Sequence, residues 1–503
     1  MSDRKRNTSG REMPAQLIPA IALVAVAVCW SLQYPFWPNR LTLLDQGKIV
    51  DYSWIAFATF VGGIALWLWA MWKLLPPLRG TTFREARALV VIPTALVSIA
   101  FVLMYPTNAI DVYIYAARSR LLTEYGENPN AALPATHWET DPYMWFASRE
   151  WADDTSPYGP LWNQIAAPVT ALTGDNIGAA VIGFKIIGVL AILAITWLIY
   201  DTMRVYRPEW ALVAALFWLW NPLVLWDGVG NAHNDVTLML PVMAALWAWA
   251  RRHDNLVVPL LLGSILIKYV TLILLPLAAV AVWRRNPSWN NRIEGVLWAT
   301  ASLFLWLGLS LYPFYDVEAL RESAREQGAR ISFSLAWFVM ATWNRLGFGP
   351  IDADAVIDLA YAVAAVGIGV CTILVWLRPG RFARASFEVM FLFMLVASTN
   401  QRAWYVIWLV PLAAILIPDK PWRRTLVWSV CSLAGHACSI WLWYVWDWDN
   451  WDRYWYTLIV VAVVFLPVLA VTAWDATAPL RSGGALRDQR SWAAAKPRQT
   501  SPR

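Results

Sequence analysis

Charge is what this sequence has least of for its length. Of 503 residues only 15% are Asp, Glu, Lys or Arg, against 59% hydrophobic residues and a mean hydropathy of +0.46. No polar stretch of domain size interrupts the apolar runs between residues 17 and 475. A water-soluble globule is thereby excluded, and a polytopic membrane protein remains. Cysteine and histidine are scarce as well, four of each. Cys29, Cys371, Cys431 and Cys438 fall in apolar segments without metal-ligand spacing, which reads as small buried hydrophobes. The net charge of +6 is concentrated at the ends, with six basic residues against one acid in 480–503 and four against two in 1–12. Basic tails beside a membrane mark its cytoplasmic side and its anionic lipids, so no nucleic-acid partner is expected.

What is present is a succession of apolar segments separated by short turns. The basic region at the N-terminus is followed by about twenty apolar residues, 17–36, without a small-residue cleavage site, which predicts a signal anchor. With that end inside, basic turns at 73–87, 204–207, 251–252, 284–292, 378–384 and 420–424 all fall on one side. The other side receives 107–160, 227–235, 312–354 and 447–453, and the first of these holds eight acids against three arginines. Spans are expected near 17–36, 53–75, 88–105, 177–200, 210–226, 236–251, 294–312, 355–376, 425–446 and 456–475. Two further stretches, 255–283 and 387–418, have basic flanks at both ends. Each is long enough for two half-length helices that enter the membrane and return. Residues 161–173 are too short to cross and are expected to lie along the outer face. The fold class is therefore all-α polytopic, with about ten full spans, two half-length hairpins and a large outer loop after the third span. A tail at 1–16, a membrane domain at 17–476 with outer loops at 107–160 and 313–354, and a basic tail at 477–503 complete the organisation.

Several polar groups converge on the outer side in this topology. Y-P-T-N-A-I-D-V-Y-I-Y at 105–115 stops a helix at Pro106 and places Asp111 between tyrosines, either as a reacting carboxylate or as the cap of the next helix. Arg118 and Arg120 follow, then S-P-Y-G-P-L-W at 156–162 with Tyr158. Asn221-Pro222 breaks a helix, and Gly228 and Gly230 let the chain turn toward His233, Asn234 and Asp235. That triplet reads as hydrogen-bonding groups for a polar ligand, as helix caps, or, less readily, as metal ligands, since consecutive side chains rarely aim at one ion. Lys268 interrupts an apolar run, either paired with a carboxylate or meeting a phosphate. Gln401, Arg402, Trp404 and Tyr405 occupy the middle of the second hairpin. The 36 tryptophans are chiefly an interfacial belt, while Trp162, Trp226 and Trp404 stand close enough to polar groups to stack on a sugar.

In order and in side of the membrane, D-V-Y-I-Y, S-P-Y-G-P-L-W, N-P with G-N-A-H-N-D, the intramembrane lysine and Q-R-A-W-Y resemble the polyprenyl-phosphate-dependent mannosyltransferases of the GT-C superfamily. The resemblance is closest to the bacterial α-1,6-mannopyranosyltransferases and runs from about residue 89 to 418. It implies a GT-C-type fold and an inverting transfer of a hexose, most simply mannose, from a polyprenyl-phosphate donor to a glycan or glycolipid acceptor. Asp111 would be the catalytic base, and Lys268, Arg118 and Arg402 would be candidates for the donor phosphate. Tyr113, Tyr115, Tyr158, His233, Asn234, Asp235, Gln401, Trp404 and Tyr405 would line the substrates, with no cofactor and no metal. Such an enzyme works at the extracytoplasmic face of the cell membrane. The stretch 128–155, rich in acids and aromatics, departs from some relatives and bears on acceptor choice. A transporter or flippase of a lipid-linked sugar is the main alternative, because broken helices with polar middles also build transport sites.

Overall fold

The computed structural model describes residues 9–108, 110–328, 332–445 and 450–481. Among them the chain is helical throughout, with two isolated β-bridges, Pro35 to Met104 and Ser332 to Asn400. Eight helices are long and apolar enough to cross a bilayer: Gln16–Gln33, Trp54–Leu78, Phe83–Val102, Ile177–Tyr206, Trp289–Leu311, Ala353–Leu377, Pro421–Val445 and Tyr454–Thr477. The protein is an all-α polytopic membrane protein. Local chemistry sets several helix starts. The Ser53 hydroxyl accepts from the Ala56 amide, Thr82 and Glu85 form a reciprocal capping box, and the Asn176 side chain accepts from Ala179. The first helix begins at Ser9 and the last runs on to Arg481, while the parts of them apolar enough to cross are Gln16–Gln33 and Tyr454–Thr477. Residues 1–8 and 482–503 lie outside the described residues, as do 447–449 of the expected 447–453 turn.

Two expected spans are not single full-length helices. The segment near 210–226 is a pair, Pro208–Leu219 and Pro222–Gly230, bent by 47° where Asn221 turns its side-chain oxygen onto the amides of Leu223 and Val224. Its second half ends in a π-helical turn, Trp226–Gly230. The expected span at 236–251 is the 16-residue helix Asp235–Ala250. At 1.5 Å per residue it reaches about 24 Å, short of a hydrocarbon core of about 30 Å. It starts at a buried polar layer, and the neighbouring helix Asp254–Ile265 stops at the same layer, just before Lys268.

Both half-length hairpins are present. Asp254–Ile265 and Leu275–Arg285 flank a turn of 3₁₀-helix, Tyr269–Leu274, and Phe382–Leu392 is answered by Leu409–Ala414 across the irregular stretch 398–402. Irregular backbone at this depth is tolerated where it faces a cavity rather than lipid. The short helix Pro160–Thr173 takes the place expected for a segment too short to cross.

The interior is aromatic. Trp30 and Trp67 stack with ring centroids 5.8 Å apart, and Trp226 meets the Trp30 ring edge-on at 5.2 Å. Trp218, Trp220, Trp428 and Trp441 are also wholly buried, so these tryptophans belong to the core rather than to an interfacial belt. Cys29 is exposed on its helix, and the other three cysteines are half-buried, so the fully buried role expected for them does not hold. Lys185 is wholly buried in Ile177–Tyr206 and donates to the carbonyls of Phe101 (3.1 Å) and Met104. It satisfies the end of the third span and fixes where the chain departs toward Asp111. Basic turn residues at the far end of these helices are tied by acids: Arg251 to Asp201, Arg285 to Asp254, and Arg207 to Asp419 at 3.1 Å.

Candidate active site

The helix Asp111–Thr123 begins at Asp111 itself. Ile110 is the N-cap and contributes no capping bond, so Asp111 is not the cap of this helix. Its carboxylate instead accepts a hydrogen bond from the Tyr158 hydroxyl at 2.7 Å through Oδ1. Burial and the neighbouring Asp111 carboxylate raise the Tyr158 pKa well above the ordinary phenol value, which keeps this hydroxyl protonated and donating. One and two turns along the same face come Ile114 and Arg118. Arg118 is 3% exposed, donates to the Asp154 carbonyl at 3.2 Å, and leaves its Nε without a partner. Burial lowers its guanidinium from the usual value, against the pull of Tyr158 and Asp111.

These side chains open into a cavity of about 700 Å³. Asp111, Arg118 and Tyr158 line it from the segment 107–160, Lys268 from the first hairpin, and Gln401, Arg402, Trp404 and Tyr405 from the second. Among the described residues that line it, Asp111 is the one carboxylate, facing three cations. The Arg402 guanidinium joins no ion pair among the described residues. Lys268 is paired: its ammonium donates to Asp235 Oδ1 at 2.8 Å and sits 4.8 Å from the Tyr405 ring centroid, 5.3 Å from Trp408 and 5.8 Å from Tyr158. The carboxylate pairing foreseen for this lysine is therefore real, and the lysine still faces the cavity. An apolar wall comes from Leu272, Ile273, Phe393, Tyr456, Val460 and Val464, and the helix Pro421–Val445 adds Ser432, Gly435, His436 and Ser439.

The loop carrying Tyr158 is pressed against the first hairpin. Gly159 N–H donates to the Ile267 carbonyl and Leu161 N–H to the Leu266 carbonyl, both at 3.0 Å. A Cβ on Gly159 would lie 2.1 Å from the Leu266 oxygen, so only glycine allows this approach. Behind it Asn130 donates to the carbonyls of Ser156 and Tyr158 and accepts from Asn163, so part of the 128–155 stretch serves as a brace for Tyr158. Gly159→Ala is expected to push Tyr158 and Lys268 apart and to lower turnover on the order of tenfold, short of the hundredfold that a full ångström of misplacement can cost. Unchanged turnover in a folded Gly159→Ala protein would show that the loop contact does not set the site.

Five of the residues expected to line the site do not reach the cavity. Tyr113 stacks on Phe146 at 5.1 Å and donates to the Arg40 carbonyl, two helical positions round from Asp111 and so on the opposite face. Tyr115 is wholly packed, with Tyr158 and Trp162 edge-on at 5.1 and 5.0 Å, and accepts from the Asn234 amide. His233, Asn234 and Asp235 form a layer behind the cavity wall. Among the described residues no three His, Cys, Asp or Glu side chains are placed to hold a metal ion. Arg120, two residues from Arg118, points the opposite way and is bound by Asp141 at 2.7 Å and Asp175 at 3.0 Å. Of the three tryptophans expected near a sugar only Trp404 lines the cavity; Trp162 and Trp226 are core.

Sequence reading also missed residues. Asn108 lines the cavity and donates to the buried Asp227 at 2.7 Å, while Asn231 accepts from the Asn108 amide and donates to the same carboxylate. N-A-I-D and W-D-G-V-G-N are far apart in the chain and carry no shared signal. His436 and its neighbours sit in an ordinary apolar span, where only a serine, glycine and histidine at helical spacing hinted at a polar face.

A family model described as the N-terminal domain of α-(1→6)-mannopyranosyltransferases matches residues 17–284, more than half of the chain. The chain belongs to this family. A probable α-(1→6)-mannopyranosyltransferase of Mycolicibacterium smegmatis is 32% identical over 159 residues, 31% of this chain and 28% of that protein. Alpha-(1→6)-mannopyranosyltransferase A of Corynebacterium glutamicum is 26% identical over 173 residues, 34% of each chain. A longer alignment, 25% identical over 457 residues, covers 84% of this chain and 83% of α-(1→6)-mannopyranosyltransferase A of Mycobacterium tuberculosis. The first two alignments thus span about a third or less of those relatives. The family match starts at residue 17, ahead of the 89 expected, and takes in Asp111, Arg118, Tyr158 and Lys268. The second hairpin and the last two helices, which close this mannopyranosyltransferase-family cavity, lie beyond it.

Proposed function

We propose that this protein transfers a hexose, mannose by family, from a polyprenyl-phosphate donor to a glycan or glycolipid acceptor, with inversion, Asp111 acting as the base. One observation carries the reading: a single carboxylate opposite Lys268, Arg118 and Arg402 in one cavity with an apolar flank. Asp111 Oδ1 is occupied by Tyr158, which leaves Oδ2 to take the proton of the acceptor hydroxyl. The hydroxyl oxygen then bonds the anomeric carbon as the bond from that carbon to the phosphate oxygen breaks. The departing phosphate monoester keeps the bonding electron pair, and its charge is balanced by the cations rather than by an acid. The flank from Leu272, Ile273, Val460 and Val464 suits the prenyl chain, which never needs to leave the bilayer. A paired-carboxylate hydrolase is disfavoured by the same count, since among the described residues the cavity offers no second acid. Purified protein given radiolabelled polyprenyl-phosphate mannose should move label into an acceptor glycolipid fraction. Transport of intact donor across vesicles without transfer would favour the flippase instead.

The reading places both termini in the cytoplasm and the cavity at the outer face of the cell membrane, on the charge asymmetry of the turns. In a protein whose four cysteines are replaced by serine, Asp153→Cys should react with an impermeant thiol reagent from outside intact cells, and Ser482→Cys should not. The reverse pattern would invert the topology.

A further inference from the structure

The triplet His233, Asn234 and Asp235 does not line the cavity, yet His233 and Asp235 hold residues that do, and Asn234 reaches one through Tyr115. His233 stacks flat under Trp404, with ring centroids 4.0 Å apart and planes 14° from parallel. The Asn234 amide donates to the hydroxyl of Tyr115, which packs edge-on against Tyr158, the donor to Asp111. Asp235 Oδ1 accepts from both Lys268 (2.8 Å) and Trp408 (2.6 Å). One turn of backbone thus reaches the carboxylate, the lysine and the aromatic wall. These arrive from three segments distant in sequence. The turn is itself rigidly placed: the His233 amide donates to the Asp227 carbonyl, and the helix Asp235–Ala250 begins at its end.

We infer that the 233–235 turn is a positioning element, which sets the separation between the Asp111 arm and the Lys268–Trp404 wall without touching substrate. The inference rests on the mechanism proposed above for its kinetic consequence, but not for its structural one. The His233 ring acts by its flat face. Both of its nitrogens are buried without a hydrogen-bond partner among the described residues, so its polarity contributes nothing to the stack. A phenyl ring does the same work without burying two unmade hydrogen bonds. An aliphatic side chain of similar volume fills the space but offers no plane, and Trp404 is free to tilt.

The test compares His233→Phe with His233→Leu, both in the full-length protein in detergent or nanodiscs. Two readouts are taken on each sample: turnover of polyprenyl-phosphate mannose, and hydrogen exchange of the 398–408 backbone. His233→Phe should melt at the same temperature as the parent or higher, keep kcat within about twofold, and leave exchange at 398–408 unchanged. His233→Leu should lose on the order of tenfold in kcat with donor KM within about threefold, as misplaced reacting groups do, and should exchange faster at 398–408. Loss of turnover by both variants would overturn the inference, because the nitrogens would then be acting on substrate. Full turnover and unchanged exchange in His233→Leu would overturn it as well. If the parent protein itself transfers no mannose, the functional reading fails, and the exchange comparison still decides whether the turn holds the wall.

Discussion

Asp111→Asn is expected to lower transfer by at least about a hundredfold while leaving the amount of inserted protein and the binding of donor unchanged. The substitution keeps the side-chain shape and an oxygen that can still accept from Tyr158, but the amide cannot take a proton from the acceptor. A structural role would give a different outcome. The helix is capped at Ile110, so no cap is lost, and Asp111 makes no salt bridge among the described residues whose breakage would unfold the loop. The measurement is donor turnover by purified protein, with donor binding on the same preparation. Near-normal turnover would remove Asp111 as the base. Asp235 and Asp227, the buried acids nearby, both lie behind the cavity wall, so among the described residues that line the cavity no replacement base is at hand. The mechanism as a whole would then fall.

Lys268→Met is expected to do two things at once. It removes a cation from the cavity, and it strands the Asp235 carboxylate, whose side chain is 1% exposed. Breaking one partner out of a buried ion pair costs about 3–5 kcal/mol, because the remaining charge stays desolvated. The single variant should therefore yield little folded protein. Lys268→Met combined with Asp235→Asn removes both charges and leaves an oxygen for Trp408 to donate to. That double variant should recover thermal stability to within about 1–2 kcal/mol of the parent. If the lysine also meets donor phosphate, its donor affinity should remain about ten- to a hundredfold weaker, the equivalent of one charge-assisted hydrogen bond. Parental donor affinity in a stable double variant would assign Lys268 to the ion pair alone.

The two lysines of the interior differ in an instructive way. Lys185 serves backbone carbonyls at a helix end and has no carboxylate or cavity, whereas Lys268 has both. Nothing in the flanking residues tells them apart: G-F-K-I-I and I-L-I-K-Y-V are equally apolar settings. What a buried ammonium does depends on which acceptors other helices bring to it.

The sequence by itself determined the class of the protein and the outline of its site. Composition and hydrophobic length made it a polytopic helical membrane protein, because a continuous apolar run of about twenty residues satisfies its backbone in lipid as a helix, whereas barrel strands alternate apolar and polar residues. Proline, glycine and flanking charge marked the break at Asn221-Pro222 and the two returning hairpins, since those signals act locally. Asp111, Arg118, Tyr158, Lys268, Gln401, Arg402, Trp404 and Tyr405 could be singled out because each is a polar or aromatic group where the chain is otherwise apolar or turning. Only the tertiary structure decided which of them share a cavity. Two steps from Asp111 send Tyr113 toward Arg40, and two steps from Arg118 send Arg120 toward Asp141, so membership depends on rotation about a helix axis that composition does not record. The 233–235 turn passed from lining to support for the same reason: its neighbours Trp404 and Lys268 come from other segments and stand in front of it. The last two helices became cavity walls through packing alone, a contact between residues more than 150 positions from Lys268 that no local pattern in the chain encodes.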